Sequence, residues 1–264
     1  MNPDFTIITV SYNSEKTIER TIKSVLNQSY KYFEYIIIDG ASTDKTNDII
    51  ENYKKHFKGS ITHISEPDKG IYDAMNKGIA LAKGKVIGLL NSDDYYFENS
   101  LAIAHDAFSK TDGKSVISGE LIFKSKTGEQ LLKTSEKRFR KKMKQYKNGV
   151  RHPATFVPKV IYNKIGLFDP AYKIAADAEL MFRIYRANYD FVFINEPLLV
   201  MSDLGISNSK GIVRQTLLEK GYILKAFCPN PILRYYFMTE TKLRFSIKEI
   251  AHKLTFIYRN IENR

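Results

Sequence analysis

Residues 5–11 read Phe5-Thr6-Ile7-Ile8-Thr9-Val10-Ser11, and Ile18, Ile22, Val25 and Leu26 follow at helical spacing. A run that is β-branched and apolar throughout is the pattern of a strand covered on both faces, so the pair predicts strand, then helix. Tyr35-Ile36-Ile37-Ile38 repeats the strand pattern. Thr43 then stands where it could cap a helix carrying Ile49, Ile50, Tyr53 and Phe57. Residues 61–65 read as a third strand. Residues 71–83 read as a helix with Ala74, Met75, Gly78, Ile79 and Ala82 on one side and Gly84 as its stop, and residues 86–90 as a fourth strand. This alternation predicts an α/β fold: a mostly parallel sheet flanked by helices on both faces, with ligands at the carboxyl ends of its strands.

Past residue 100 the pattern loosens. A helix over 100–110 and a strand over 116–123 lead into a polar stretch, 124–147, whose basic end from Lys133 is expected as a solvated helix or loop. A helix over 176–188 and a strand over 191–195 follow. With 264 residues the chain is long enough for one large domain with an appendage. We expect a catalytic domain over 1–205, divided near residue 100, and a basic, aromatic-rich helical extension over 206–264.

A composition of 43% hydrophobic and 27% charged residues excludes a disordered or fibrous chain. The single cysteine, Cys228, excludes an internal disulfide and a cysteine-rich zinc site, which fits a reducing compartment. No apolar run reaches membrane-spanning length, and Met1-Asn2-Pro3-Asp4 enters a strand rather than a signal peptide, so a cytoplasmic location is expected. The net charge of +12 attracts anionic partners. Most of the excess sits in two places. Between Lys133 and Lys147, eight cations face only Glu136; from Lys210 onward, eleven cations face four glutamates.

Several acidic positions follow strands: Asp39 after the second, Asp68 beside Lys69 after the third, and Asp93-Asp94 after the fourth. Each alone suits a turn or a helix cap. Together they place carboxylates along one sheet edge, a charge cluster that a cation or a donor-rich ligand must offset. Oxygen-only ligation suits magnesium or manganese held between carboxylates and a diphosphate. In Asn91-Ser92-Asp93-Asp94, adjacent residues diverge, so that one carboxylate can bind metal while its neighbour takes a sugar hydroxyl. A carboxylate such as Asp39 can accept the imide N–H of uracil. There is no G-x-G-x-x-G turn after the first strand, no P-loop and no recognised nucleic-acid motif, which argues against dinucleotide oxidoreductases, phosphate-loop enzymes and a nucleic-acid-binding role.

Thr9-Val10-Ser11-Tyr12-Asn13, Ile38-Asp39-Gly40-Ala41-Ser42-Thr43-Asp44, the run from Glu66-Pro67-Asp68-Lys69-Gly70 to Asn76-Lys77-Gly78, and Leu90-Asn91-Ser92-Asp93-Asp94 resemble, in order and spacing, the sugar-nucleotide half of family 2 glycosyltransferases with the GT-A fold. The resemblance covers roughly residues 4–200. It is greatest to bacterial enzymes that build colanic-acid-like, capsular and O-antigen polysaccharides on a lipid carrier. It implies a nucleotide-sugar donor, with a UDP-sugar expected, a divalent cation and inversion at the anomeric carbon. By motif, Ser11, Tyr12, Asn13 and Asp39 are expected to cradle base and ribose, with Asp68 and Lys69 near the same pocket. Asp93 is expected to face the ribose or sugar, and Asp94 with Asp93 to hold the metal; Ser92 occupies a position often acidic in the family.

The family's base is an aspartate opening a late helix, and Ala175-Ala176-Asp177-Ala178-Glu179-Leu180 fills that place. Asp177 is the expected base, in a setting where a helix N-terminus stabilises negative charge. Glu179 is an alternative holder of an acceptor hydroxyl. His152 stands where relatives place a histidine facing the donor phosphates. The resemblance gives the basic segments a purpose, since a lipid-linked saccharide acceptor lies at an anionic membrane surface, where each clustered cation gains about 1 kcal/mol. Leu243, Ile247, Ile250, Leu254 and Ile257 recur at helical spacing. They predict an amphipathic helix that lies on the inner face of the membrane or packs on protein, including a second subunit.

Overall fold

The computed structural model describes residues 3–57, 61–203 and 212–262, with side chains to residue 247. The chain forms two compact units, 1–208 and 209–264.

The first unit opens with β1 (Phe5–Ser11), α1 (Ile18–Leu26), β2 (Phe33–Asp39), α2 (Thr46–Lys54), β3 (Ile61–Ser65), α3 (Ile71–Leu81) and β4 (Val86–Asn91). After them come β5 (Tyr95–Tyr96), α4 (Ser100–Ser109), β6 (Val116–Ser125), β7 (Gly128–Leu132) and α5 (Glu136–Lys144). The unit closes with β8 (Thr155–Pro158), α6 (Lys159–Ile165), α7 (Ala176–Arg186) and β9 (Phe191–Ser202). One sheet runs β3-β2-β1-β4-β8-β6-β9-β5, with β7 paired to β6. Following the pairings across it, β1, β2, β3, β4, β6 and β9 run one way, and β5, β7 and β8 run the other.

Every residue of β1 is buried, as its unbroken apolar and β-branched character requires of a strand sandwiched between helices. Ile18, Ile22 and Val25 turn one stripe of α1 into a core shared with Ile7, Tyr35 and Ile37. Parallel pairing in register places Ser11 beside Asp39 and Asp39 beside Ser65. Three strand ends therefore finish level, and the loops beyond them share one rim.

Several expectations need correction. Thr43 does not cap α2. Its N–H donates to Asn13 Oδ1, and the helix begins later, where Asp44 Oδ1 accepts the Thr46 N–H at 3.0 Å. Gly84 is not the stop of α3, which ends at Leu81. A Cβ on Gly84 would clash with the backbone nitrogen of Thr6, so this glycine serves the close approach of the chain to β1. The polar stretch 124–147 carries the β6–β7 hairpin, which was not expected, and at its basic end α5, a helix with Lys137, Arg138, Arg140, Lys141 and Lys144 exposed. β9 continues to Ser202 because the polar Asn195 and Glu196 are taken up where its register against β6 shifts, after Gly119.

In the second unit, α8 (Ile212–Phe227) and α9 (Pro231–Glu262) pack on each other. Asn230 Oδ1 accepts the N–H groups of Ile232 and Leu233, and proline follows at the first helical position, a combination that fixes the start of α9. Among the described residues no helix is long and apolar enough to cross a membrane.

Candidate active site

The loops after β1 and β2 interlock. Asn13 N donates to Ser42 Oγ at 2.8 Å, Ser14 N to Thr46 Oγ1 at 2.8 Å, and Glu15 N to Asp44 Oδ2 at 3.1 Å. Asn13 and Ala41 both sit at positive φ, 47° and 60°, so the two turns are held tightly enough to offset that strain. Asp39 is fully buried beneath them. Its Oδ1 accepts from Ser11 Oγ and Ser42 Oγ, and its Oδ2 from Ser42 N, Ser65 Oγ and Asn47 Nδ2. Burial pushes this carboxyl up, and the donors from Ser42, Ser65 and Ser11 more than reverse it, leaving Asp39 below the usual carboxylate range.

Five donors occupy the lone pairs of Asp39, so it braces the rim instead of offering a free acceptor, a correction to the expected contact with the base. Ser11 and Asn13 are likewise committed within the protein. What remains outward is Tyr12, 64% exposed, with Asp68 beside it. A Cβ on Gly40 would lie 2.5 Å from Asp68 Oδ2 and 3.4 Å from the Tyr12 ring, so the glycine lets both side chains close on one spot. Asp68 Oδ1 accepts the Gly70 N–H and thereby shapes the entry to α3; Lys69 is exposed alongside.

The 91–94 turn is pinned by α1. Thr21 Oγ1 donates to the carbonyls of Ser92 and Asp94, Arg20 to that of Asp93, and Ser14 Oγ lies 2.8 Å from Ser92 Oγ. The two carboxylates part company here. Asp94 is 1% exposed, with Oδ1 accepting from Ser202 N at 2.9 Å and Oδ2 from Asn91 Nδ2 at 3.2 Å. Burial, with Asp93 beside it, pushes the Asp94 carboxyl up to about 7. Asp93 is also raised, by burial, and among the described residues no other side chain donates a hydrogen bond to it.

Of the two carboxylates expected at the metal, Asp94 ties β9 to the turn through Ser202 and Asn91, and Asp93 is the one without a side-chain donor among the described residues. Asn91 Oδ1 is buried without a partner next to this pair. Among the described residues no group of three or more histidine, cysteine, aspartate or glutamate side chains could enclose a metal by itself. A single open carboxylate with an orphaned amide oxygen nearby fits a hard divalent cation that completes its shell with phosphate oxygens and water.

Asp177 is the second residue of α7, yet its carboxylate does not cap the helix. Oδ2 accepts from Asn148 Nδ2 at 3.2 Å, and Tyr72 Oη, which donates to the Ile174 carbonyl at 2.6 Å, lies 3.5 Å from Oδ1. Tyr72 stands in the first turn of α3, directly after the Asp68–Gly70 turn, so this contact brings Asp177 near that turn. His152 faces Asp177 electrostatically and packs edge-on against Phe168, with Nε2 buried and unpartnered. Burial lowers its imidazole below the usual value against the opposing pull of Asp177. Glu179 is not available to an acceptor. Both of its oxygens accept from Arg183 Nε, and Arg183 is fixed in turn by the carbonyls of Ile165 and Leu167.

Tyr72 and Asn148 were not singled out by the sequence. Tyr72 lay inside a recognised motif; Asn148 sits at the end of the basic stretch, where residue type gives no signal.

The family model described as Glycosyl transferase family 2 matches residues 6–164. An uncharacterized glycosyltransferase of Rickettsia prowazekii is 28% identical over 209 residues, which are 76% of this chain and 64% of that protein, so the chain spans less than two thirds of this relative. Among solved structures, S. aureus TarS 1–349 in complex with UDP-GlcNAc superposes with a TM-score of 0.64 at 17% identity, covering 90% of this chain and 71% of that one. Mannosyltransferase PcManGT from Pyrobaculum calidifontis, in complex with GDP-Man and Mn2+, gives 0.66 at 15% identity, covering 90% and 69%. These likenesses match the sheet and its flanking helices to the GT-A fold.

Proposed function

The chain belongs to glycosyl transferase family 2, and from that premise we propose that it moves a sugar, with inversion, from a UDP-sugar to a saccharide hydroxyl on a lipid-linked acceptor in bacterial surface polysaccharide synthesis. The observation that carries this reading is the Asp177 carboxylate, which accepts from Asn148 Nδ2 and lies 3.5 Å from the Oη of Tyr72, two residues past the Asp68–Gly70 turn. In that position Asp177 takes the acceptor hydroxyl's proton as the oxygen attacks the anomeric carbon from the side opposite the diphosphate. A base so placed contributes about 10²–10⁴-fold to the rate.

Tyr12 offers its ring to the base, and Asp68 Oδ2 an acceptor for the imide N–H, the role that the saturated Asp39 leaves open. Asp93 and the side-chain Oδ1 of Asn91 are the ligands we assign to a divalent cation, manganese or magnesium. When bound, such a cation neutralises charge developing on the departing diphosphate. His152 faces Asp177 electrostatically, and its unpartnered Nε2 suits a phosphate oxygen.

Peripheral attachment to an anionic membrane is supported by α9. Ile232, Tyr236, Leu243 and Ile247 recur along one stripe with exposures of 57–77%, flanked by Arg234, Lys242 and Arg244. Of the expected stripe, Leu243 and Ile247 are thus exposed, while Ile250, Leu254 and Ile257 lie outside the residues with described side chains.

The test is a thermal-shift and donor-hydrolysis screen of UDP-, GDP- and dTDP-sugars with manganese or EDTA. A UDP-sugar at 100 times its dissociation constant should stabilise the protein by about 2.7 kcal/mol, and EDTA should reduce the effect. If no nucleotide sugar raises the melting temperature or is turned over, the reading fails.

A further inference from the structure

Helix α3 carries two pairs of fastening side chains, the members of each pair one helical turn apart and therefore on one stripe of the helix. Asp73 and Lys77 hold the turn that precedes the helix. Asp73 Oδ2 accepts the Lys69 N–H at 3.0 Å, and Lys77 Nζ donates to the Pro67 carbonyl at 2.9 Å and pairs with Glu66 at 2.7 Å. Tyr72 and Asn76 hold the segment that leads into α7. Tyr72 Oη donates to the Ile174 carbonyl at 2.6 Å. Asn76 pairs with both backbone groups of Phe168, its Nδ2 donating to the carbonyl at 2.9 Å and its Oδ1 accepting the N–H at 3.0 Å.

Phe168 is buried, with its ring 5.3 Å from that of Tyr72 and 5.6 Å from that of His152. Just before it, Arg183 takes the carbonyls of Ile165 and Leu167. The segment thus meets α3 at Phe168 and again at Ile174, and Asp177 follows three residues later. Because Tyr72 gives its proton to Ile174, its oxygen stays 3.5 Å from Asp177 Oδ1, longer than an ordinary hydroxyl hydrogen bond. Were the Ile174 carbonyl to move away, the phenol would turn that proton onto the carboxylate and occupy the oxygen that an incoming hydroxyl needs.

We propose that α3 is a strut between the 66–70 turn and the base, and that Asn76 is its positioning residue: by fixing Phe168 it keeps Ile174 on Tyr72 and leaves Asp177 Oδ1 open to the acceptor hydroxyl. This inference rests on the transferase reading above and adds to it the residue through which the base is placed. A primary amide suits the task, since it sets one donor beside one acceptor and so matches the C=O and N–H of a single residue. Aspartate, of the same size, lacks the donor.

Turnover is measured as nucleotide released, with manganese present, from the nucleotide sugar that the screen above shows to be consumed, water standing in for the acceptor. N76A should lower kcat about tenfold with donor KM and UDP affinity unchanged. N76D, which keeps an acceptor for the Phe168 N–H but sets an oxygen against its carbonyl, should show the same split and carries the test if N76A does not fold. In the D177N background neither change should cost anything further, because Asn76 acts only through that carboxylate. Hydrogen exchange read by mass spectrometry should quicken over 168–177 in both variants and stay as in wild type over β1 and β2. Wild-type kcat, an equal loss with and without Asp177, or unchanged exchange over 168–177 overturns the proposal. A raised donor KM with kcat kept does so as well, since it would place Asn76 in the donor pocket. A wild type that consumes no nucleotide sugar counts against the transferase reading itself, and the exchange measurement then still decides whether Asn76 fastens the segment.

Discussion

Asn148 and Asp177 are 29 positions apart in the chain, yet the amide of one donates to the carboxylate of the other at 3.2 Å. The contact turns Asp177 away from the amides of its own helix end and joins the close of the basic segment to the candidate base. Asp177→Asn should cut sugar transfer by at least about 10²-fold while leaving UDP affinity within experimental error. Near-normal turnover in this variant removes Asp177 from the chemistry.

Asn148 acts through Asp177, so Asn148→Ala should lower kcat by about tenfold, the loss of one hydrogen bond to a charged group, with KM for the donor little changed. A rise in donor KM without a fall in kcat would place Asn148 in the donor pocket instead.

Asp93 and Asp94 should separate cleanly. Asp93→Asn is expected to weaken manganese-dependent UDP binding without changing the melting temperature of the free protein. Asp94→Ala strands the Ser202 N–H and the Asn91 amide and should cost about 2–4 kcal/mol of stability. The reverse pattern, measured by denaturant unfolding and by titration with manganese, would restore Asp94 as the ligand.

Asp39→Asn replaces an oxygen that faces several donors with an amide NH2, itself a donor, which repels them. Loss of about 2–4 kcal/mol is expected, with weakened UDP binding as a secondary effect of the loosened rim. Unaltered stability would mean that the five hydrogen bonds do not brace the loops.

His152 carries a pH signature. Its folded-state pKa lies below the ordinary 6.5, so between the two values the unfolded chain binds a proton that the folded protein refuses. Its contribution to stability is therefore complete above about 6.5 and is lost as pH falls through the folded value. The melting temperature of wild type should drop more steeply below that pH than that of His152→Gln. Parallel curves would show that burial does not perturb this imidazole.

Much of this protein is written locally. The unbroken apolar run of β1 and the periodic Ile18, Ile22 and Val25 of α1 specify strand and helix by themselves, because pattern period and burial are properties of neighbouring residues. The turn motifs after β1, β2, β3 and β4 likewise placed the candidate carboxylates on one rim, since parallel strands deliver their ends to the same edge. Residue type could not say which carboxylates stay free. Asp39 and Asp68 are chemically identical, as are Asp93 and Asp94, and Glu179 is as good an acceptor as Asp177. Only the fold decided, by spending Asp39 on Ser11, Ser42, Asn47 and Ser65, Asp94 on Ser202 and Asn91, and Glu179 on Arg183. A carboxylate's role depends on which donors reach it, and here many of those donors come from distant segments of the chain.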